Sequence, residues 1–309
     1  MCKVSIIIPV FNKSQTIVRA IDSVINQDYN DCEIIVVDDG STDGSLTNLP
    51  SKYRSLLKII VQKNSGVSVA RNVGAANASG DLIAFLDADD ELSPRAISMY
   101  MYMSTNFPNA NFFSIGFDIV SEYGILYKPS GSWAISKIAL VDNFALEFRH
   151  NTALISSSTA CIRRQAFIDS GGFPAGKVIG EDIYLWLKLS LTHSLCHAGE
   201  SLAKIYRNAD NRSLDTSKNS KQIHYFLEYF LSESGISYYN ENINLRRLLF
   251  ILALKNLLGA KEFGNNYLVL NIANLYQKRE SLYRIILLVA ALLPRRVIRI
   301  IRYLRSIVS

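Results

Sequence analysis

Two rhythms of apolar residues alternate over the first hundred or so positions of this chain. Short apolar runs predict strands at Val4 to Pro9, Glu33 to Val37, Leu57 to Gln62 and Leu82 to Leu86. Between them lie stretches at helical spacing. Ser14 to Gln27 is the first predicted helix, and Gly66 to Ala78 the second, with Val69, Ala70, Val73 and Ala76 on one face and Gly80 as its stop. Ser93 and Pro94 predict a third helix start, Ser as cap and Pro in the first turn, running into RAISMYMYMS. Strands alternating with helices predict an open, mostly parallel α/β sheet, and such sheets take ligands beyond the carboxyl ends of their strands.

The pattern then loosens. Residues 111 to 176 hold strand-like stretches, NFFSIGFDIV and TALISSSTACI, broken by Gly, Pro and Ser, before a helical pattern opens at GEDIYLWLKLSL. From residue 219 to the end the chain reads as mostly helical. The expected division is therefore a catalytic α/β domain over 1–215 and a helical region over 216–309. No internal repeat or low-complexity segment interrupts either part.

At 309 residues and 49% hydrophobic, the chain has the material for a large core, which excludes a disordered protein. Its four cysteines, Cys2, Cys32, Cys161 and Cys196, show neither a disulfide framework nor zinc-ligand spacing, and His150, His193, His197 and His224 show no metal spacing either. MCKVS leads into the first strand without the basic and long apolar stretches of a signal peptide, so a reducing, cytoplasmic setting is expected. The net charge of +6 is unevenly spread: residues 278 to 309 hold eight Lys/Arg and one acid, leaving 25 bases and 26 acids for the rest. A near-neutral body argues against a nucleic-acid partner, because phosphate contacts dominate that affinity.

Acids crowd two strand ends. FLDADDELSP places Asp87, Asp89 and Asp90 within four positions, and VVDDGSTDGS places Asp38, Asp39 and Asp43 after another strand. Such charges repel unless something positive sits among them. Asp87 and Asp89, two apart, project to the same side, and hard divalent cations take one or two carboxylates together with substrate phosphates. A polar turn ahead of a helix is the plain alternative for each cluster. The first strand is followed by PVFNKSQT, without GxGxxG, and no GxxxxGK[ST] occurs, which argues against a dinucleotide fold and a P-loop.

SIIIPVFN, VVDDGSTDGS, GVSVARN, FLDADD and GEDIYLWLKL, in that order over roughly residues 3 to 210, resemble the family 2 inverting glycosyltransferases of GT-A fold. The resemblance implies a Rossmann-like sheet with a C-terminal helical extension. It also implies transfer of a hexosyl or N-acetylhexosaminyl group from a nucleotide-sugar, a UDP-sugar above all, to a glycan or lipid-linked hydroxyl in polysaccharide synthesis. Pro9 and Phe11 would lie beside the base, Asp38 and Asp39 at the uracil or ribose, and Arg71 near the base and phosphates. Asp87 would touch ribose or metal, Asp89 would be the main ligand of Mn²⁺ or Mg²⁺, and Asp182 would be the base. Asn208 or Asn211 stands where the family often has a further metal ligand. Glu181, next to Asp182, and Trp186, four residues after it on the same helix face, are acceptor candidates, although first-turn acids and a core Trp explain themselves without function. A non-catalytic nucleotide-sugar-binding scaffold of the same fold is the alternative.

The apolar run at 285–293 is too short to span a bilayer. Residues 295–308 place Arg295, Arg296, Arg299, Arg302 and Arg305 on about half of a helical wheel, opposite Val297, Ile300, Ile301, Leu304, Ile307 and Val308. Peripheral attachment through residues 280–309 to the inner face of the plasma membrane is expected; a helix packed on the body with a solvated basic face is the competing reading.

Overall fold

The computed structural model describes residues 3–121, 123–124, 126–128, 137–207, 222–277, 281–294 and 296–298. Asn208, Asn211 and nearly all of the basic segment 295–308 lie outside them. The chain divides into two compact units, one of Met1–Val178 with Tyr184–Asn211, the other of Ile179–Ile183 with Arg212–Ser309.

The first unit is built on one sheet. Its strands are β1 (Val4–Val10), β2 (Cys32–Asp38), β3 (Leu57–Val61), β4 (Leu82–Phe85), β5 (Glu91–Leu92), β6 (Ala110–Val120), β7 (Leu126–Tyr127), β8 (Ile138–Val141), β9 (Ala160–Arg163) and β10 (Ser194–Tyr206). They run in the order β3-β2-β1-β4-β9-β6-β10-β5, with β7 beside β6 and β8 beside β10. The four strands at the β3 end are parallel, β9 is antiparallel to both β4 and β6, and β10 is parallel to β6. The four predicted parallel strands are thus present, each within a residue or so of its expected bounds, whereas of TALISSSTACI only residues 160–162 join the sheet, Ser157–Thr159 forming a 3-10 turn ahead of them.

β1 is buried at all seven positions because helices cover both of its faces. Val4, Ile6, Ile8 and Val10 pack with Ile17, Ala20, Ile21 and Val24 of the helix Ile17–Ile25. Ile7 faces the helix Val67–Ala76, which comes so close that a Cβ on Gly74 would lie 2.4 Å from the Ile7 side chain. Ser93 departs from expectation. The third helix runs Ala96–Asn106 with Arg95 at its cap, while Ser93 closes the turn through its carbonyl, which accepts from the Ala96 amide.

At the amino ends of the strands, Glu33 joins three segments. It accepts from the hydroxyls of Ser5 and Ser79 and from the Ser79 amide, and Lys3 lies 3.7 Å away. Burial raises its carboxyl, but these hydrogen bonds outweigh that and bring it down to about 2 from 4.5. A carboxyl lowered by folding stabilises the protein above its unfolded value and ceases to do so as pH falls through its folded one. Glu33→Gln is therefore expected to cost about 1–3 kcal/mol at pH 7. Its melting temperature should also fall less steeply than the parent's between pH 4.5 and 2. Parallel curves from calorimetry would remove Glu33 as the source.

The second unit contains the helices Tyr225–Phe230, Ile236–Glu241, Ile243–Glu262, Asn266–Leu275 and Ser281–Leu292. Asn242 and Asn265 cap two of them, each side chain accepting an amide three residues on. Ile179–Ile183 joins this unit: the Tyr225 amide donates to the Ile179 carbonyl, and Gly180, at φ 76°, leaves no room for a Cβ beside Phe226. On Ser281–Leu292, Leu287, Ala290 and Ala291 are buried, whereas Leu282, Ile285, Ile286, Val289 and Leu292 form an exposed apolar stripe.

Candidate active site

β1, β2 and β4 end on one rim, with Val10 paired to Asp38 and Ile7 to Phe85. The residues that follow these ends build the site. Phe11 is 40% exposed, while Pro9 behind it is buried within β1. Asn12 adopts φ 53°, a left-handed conformation that Asn tolerates. It ties two turns together, its amide donating to the Ser41 hydroxyl and its side chain accepting from the Thr42 amide. Asp43 accepts from the Ser14 and Ser45 amides and the Ser45 hydroxyl. Burial raises the Asp43 carboxyl, and these bonds carry it past that, down to about 2.

Asp38 and Asp39 differ in their duties. Asp38 accepts from the Ser41 amide with one oxygen. Asp39, only 3% exposed, has both oxygens engaged: Oδ1 accepts from Gln62 Nε2 (2.7 Å) and the Ser65 amide (2.8 Å), Oδ2 from the Gly66 amide (2.8 Å). It thereby fixes the loop that opens the helix Val67–Ala76. The crowded carboxylates of FLDADD are relieved by protein cations. Lys13 Nζ lies 2.8 Å from Asp89 Oδ2, and Arg71 lies 2.7 Å from Asp87 Oδ1 while its guanidinium sits 5.0 Å from the Phe173 ring centre. Asp90 is buried, accepting from the Ser158 hydroxyl and the Tyr206 amide. Burial first, then the charges of Asp87 and Asp89, push its carboxyl well above the usual range. The positive charge that the sequence demands is thus present as Lys13 and Arg71.

Fit to a divalent cation turns on what oxygen remains. Among the described residues no group of three His, Cys, Asp or Glu side chains is placed to hold a metal. Asp87 Oδ2 and Asp89 Oδ1 are the oxygens not taken by Arg71 and Lys13. Two carboxylate oxygens suit Mg²⁺ or Mn²⁺ only where phosphates complete the shell. The residues therefore fit a cation that arrives with a diphosphate.

Glu181 and Asp182 open the helix Glu181–Ser190; Asp182 accepts from the Ile183 amide (2.7 Å), and Glu181 is buried. Trp186 corrects one expectation. It is 1% exposed and edge-on to Phe173, 6.0 Å between ring centres, so it is a core residue with no face for a sugar. Arg163 serves the Ala110 and Ser104 carbonyls. His197 is buried on the Ser114 hydroxyl, and burial lowers it to about 4. Sequence reasoning missed Lys13, Arg19, Asn72, Ser158 and Tyr206. Asn72, next to Arg71, exchanges hydrogen bonds with the Phe173 backbone, and an Asn inside a helix, where it is a poor former, was its signal.

Residues 5–169 match the family model described as glycosyl transferase family 2. An uncharacterized glycosyltransferase of Rickettsia felis is 30% identical over 283 residues, which take in 87% of this chain and 45% of that one; the chain thus spans less than half of that relative. The GalNAc(5)-diNAcBac-PP-undecaprenol beta-1,3-glucosyltransferase of Campylobacter jejuni is 29% identical over 229 residues, 72% of this chain and 71% of that one. Among solved structures, S. aureus TarS 1-349 in complex with UDP-GlcNAc superposes with a TM-score of 0.61 at 18% identity, over 91% of this chain and 89% of that one. That likeness establishes the GT-A fold.

Proposed function

Since the chain belongs to glycosyl transferase family 2, we propose that it moves a sugar from a UDP-sugar to a hydroxyl of a glycan or lipid-linked acceptor in polysaccharide synthesis, with inversion at the anomeric carbon. The observation that carries this reading is the rim itself, where Lys13 and Arg71 stand on the Asp87–Asp89 carboxylates at the ends of β1 and β4. A diphosphate has its counter-charges there. UDP-GlcNAc as the ligand of TarS supports the choice of carrier, and the undecaprenol-linked substrate of the Campylobacter relative supports a lipid-linked acceptor.

In this reading Phe11 offers its exposed ring to the base above Pro9, and Asp38 meets the ribose or uracil with its second oxygen. Asp39 acts behind them by holding the Gln62–Gly66 loop. Arg71 and Lys13 turn toward the phosphates. A divalent cation, when bound, neutralises the departing diphosphate, and Asp87 and Asp89 would hold it. Asp182 takes the acceptor proton as the new carbon–oxygen bond forms and the bond to the phosphate oxygen breaks, so no covalent enzyme intermediate is needed. Glu181 remains beside it as the acceptor-side acid. Screening UDP-sugars for thermal stabilisation with and without Mn²⁺ tests the reading: a donor near a hundred times its Kd should stabilise by about 2.7 kcal/mol. No stabilisation by any nucleotide-sugar sinks it, and binding without turnover or donor hydrolysis would leave a scaffold protein instead.

Peripheral attachment to the cytoplasmic face of the membrane belongs to the same proposal. No helix among the described residues is long and apolar enough to cross a bilayer. The exposed stripe from Leu282 to Leu292, in a region with eight bases and one acid, suits an anionic surface. Deleting residues 280–309 is expected to abolish co-sedimentation with phosphatidylglycerol vesicles; unchanged sedimentation would overturn the attachment.

A further inference from the structure

Behind the carboxylates at the rim, three consecutive residues end on one pair of residues, Arg19 and Tyr206. The Asp89 carbonyl accepts from Arg19 Nη2, the Asp90 carboxylate accepts from the Tyr206 amide at 3.0 Å, and the Glu91 carboxylate accepts from the Tyr206 hydroxyl at 2.8 Å. Arg19 and Tyr206 are themselves coupled, the guanidinium lying 3.6 Å from the ring centre. Arg19 comes from the helix after β1 and Tyr206 from the last position of β10, so the couple joins two distant parts of the chain behind the acidic turn.

We propose that Arg19 and Tyr206 are positioning residues for Asp87 and Asp89, the carboxylates that would hold the cation accompanying the diphosphate. This inference rests on the glycosyl-transfer reading of the same site and adds the parts that hold it in register. The acidic turn needs such support. It sets Asp87, Asp89 and Asp90 within four positions, and Asp90 is turned inward, buried on the Ser158 hydroxyl and the Tyr206 amide. Lys13 holds the Asp89 side chain, and Arg71 that of Asp87. The backbone between them is fixed by Ser158, whose hydroxyl accepts from the Asp87 amide, and by the Arg19–Tyr206 couple at Asp89 to Glu91. A stacked guanidinium serves here better than an ammonium, because its plane covers the ring while its edge still donates to the carbonyl. Removing the stack takes away the hold on the backbone from Asp89 to Glu91, and the carboxylates of Asp87 and Asp89 are then free to shift with it.

The test is UDP binding by isothermal calorimetry, with Mg²⁺ and with EDTA, alongside melting temperatures, for Tyr206→Phe, Tyr206→Ala and Arg19→Gln in the full chain. Tyr206→Phe keeps the ring and the amide and should bind UDP within about twofold of the parent. Tyr206→Ala and Arg19→Gln should each bind about tenfold more weakly with Mg²⁺ and much less so in EDTA. A merely structural role would lower the melting temperature without that cation-dependent difference. Should Tyr206→Ala not fold, Arg19→Gln, a change on a partly exposed helix position, carries the test. Parent-like UDP affinity in a folded Arg19→Gln or Tyr206→Ala overturns the inference while leaving the reaction intact. A parent chain that binds UDP in neither condition overturns both.

Discussion

Asp182→Asn is expected to lower kcat by about 10²–10⁴-fold, the usual worth of a positioned general base, while donor affinity stays within about threefold. The reasoning separates two jobs of one side chain. Asp182 accepts from the Ile183 amide at the start of its helix. The Asn carbonyl oxygen can keep that bond, so the helix start survives the change. What Asn cannot do is take a proton, and the acceptor hydroxyl then attacks without losing one. Asn is the informative replacement because Ile179–Ile183 packs with the helical unit, where truncation to Ala risks a wider disturbance. Equilibrium binding of a UDP-sugar and single-turnover transfer, measured on the same preparation, separate the two jobs. Near-normal turnover would remove Asp182 as the base, and loss of donor binding would move it to a donor-side role.

How much of this was legible before the structure depends on the range of the interactions. The four parallel strands are plain in the sequence because burial on both faces leaves unbroken apolar runs, as in VSIIIPV and CEIIVVD. β10 is not: its thirteen residues include His197, Gly199, Glu200 and Ser201, and its pairing with β6 shifts register between Ala198 and Ala203. No period of two survives such irregularity. The acids and Arg71 were legible as motifs. Their partners were not, because Lys13 reaches Asp89 across 76 positions, Ser158 reaches Asp87 across 71, and Tyr206 reaches Asp90 across 116. Contacts at that separation are made by the sheet, in which β1 pairs with β4 and β10 pairs with β5, the short strand that follows the acidic turn. Packing against Phe173 likewise buries Trp186, whose place four residues after Asp182 on one helix face had suggested it for the acceptor.

Asp89→Ala should divide the two sources of positive charge at the rim. In the parent, Lys13 is held on Asp89 and any divalent cation must use the oxygens that Lys13 and Arg71 leave. Removing the Asp89 carboxylate takes away one of the two proposed cation ligands and also releases Lys13 toward the phosphates. The two consequences have opposite signs. With Mn²⁺ present, the parent is expected to bind UDP about 10–100-fold more tightly than in EDTA, and the variant to show almost none of that gain. In EDTA the variant should bind UDP at least as well as the parent, since a phosphate replaces a lost carboxylate as the partner of Lys13. Lys13→Met should do the reverse, weakening UDP in EDTA while keeping most of the gain from Mn²⁺. Because the residues suit a cation only in company with a diphosphate, Mn²⁺ alone should leave the melting temperature of both proteins unchanged. Calorimetric titrations of UDP with and without Mn²⁺ read all of these. An equal Mn²⁺ gain in parent and Asp89→Ala would take the metal away from Asp89, and weaker binding of the variant in EDTA would show that Asp89 holds Lys13 where the phosphate needs it.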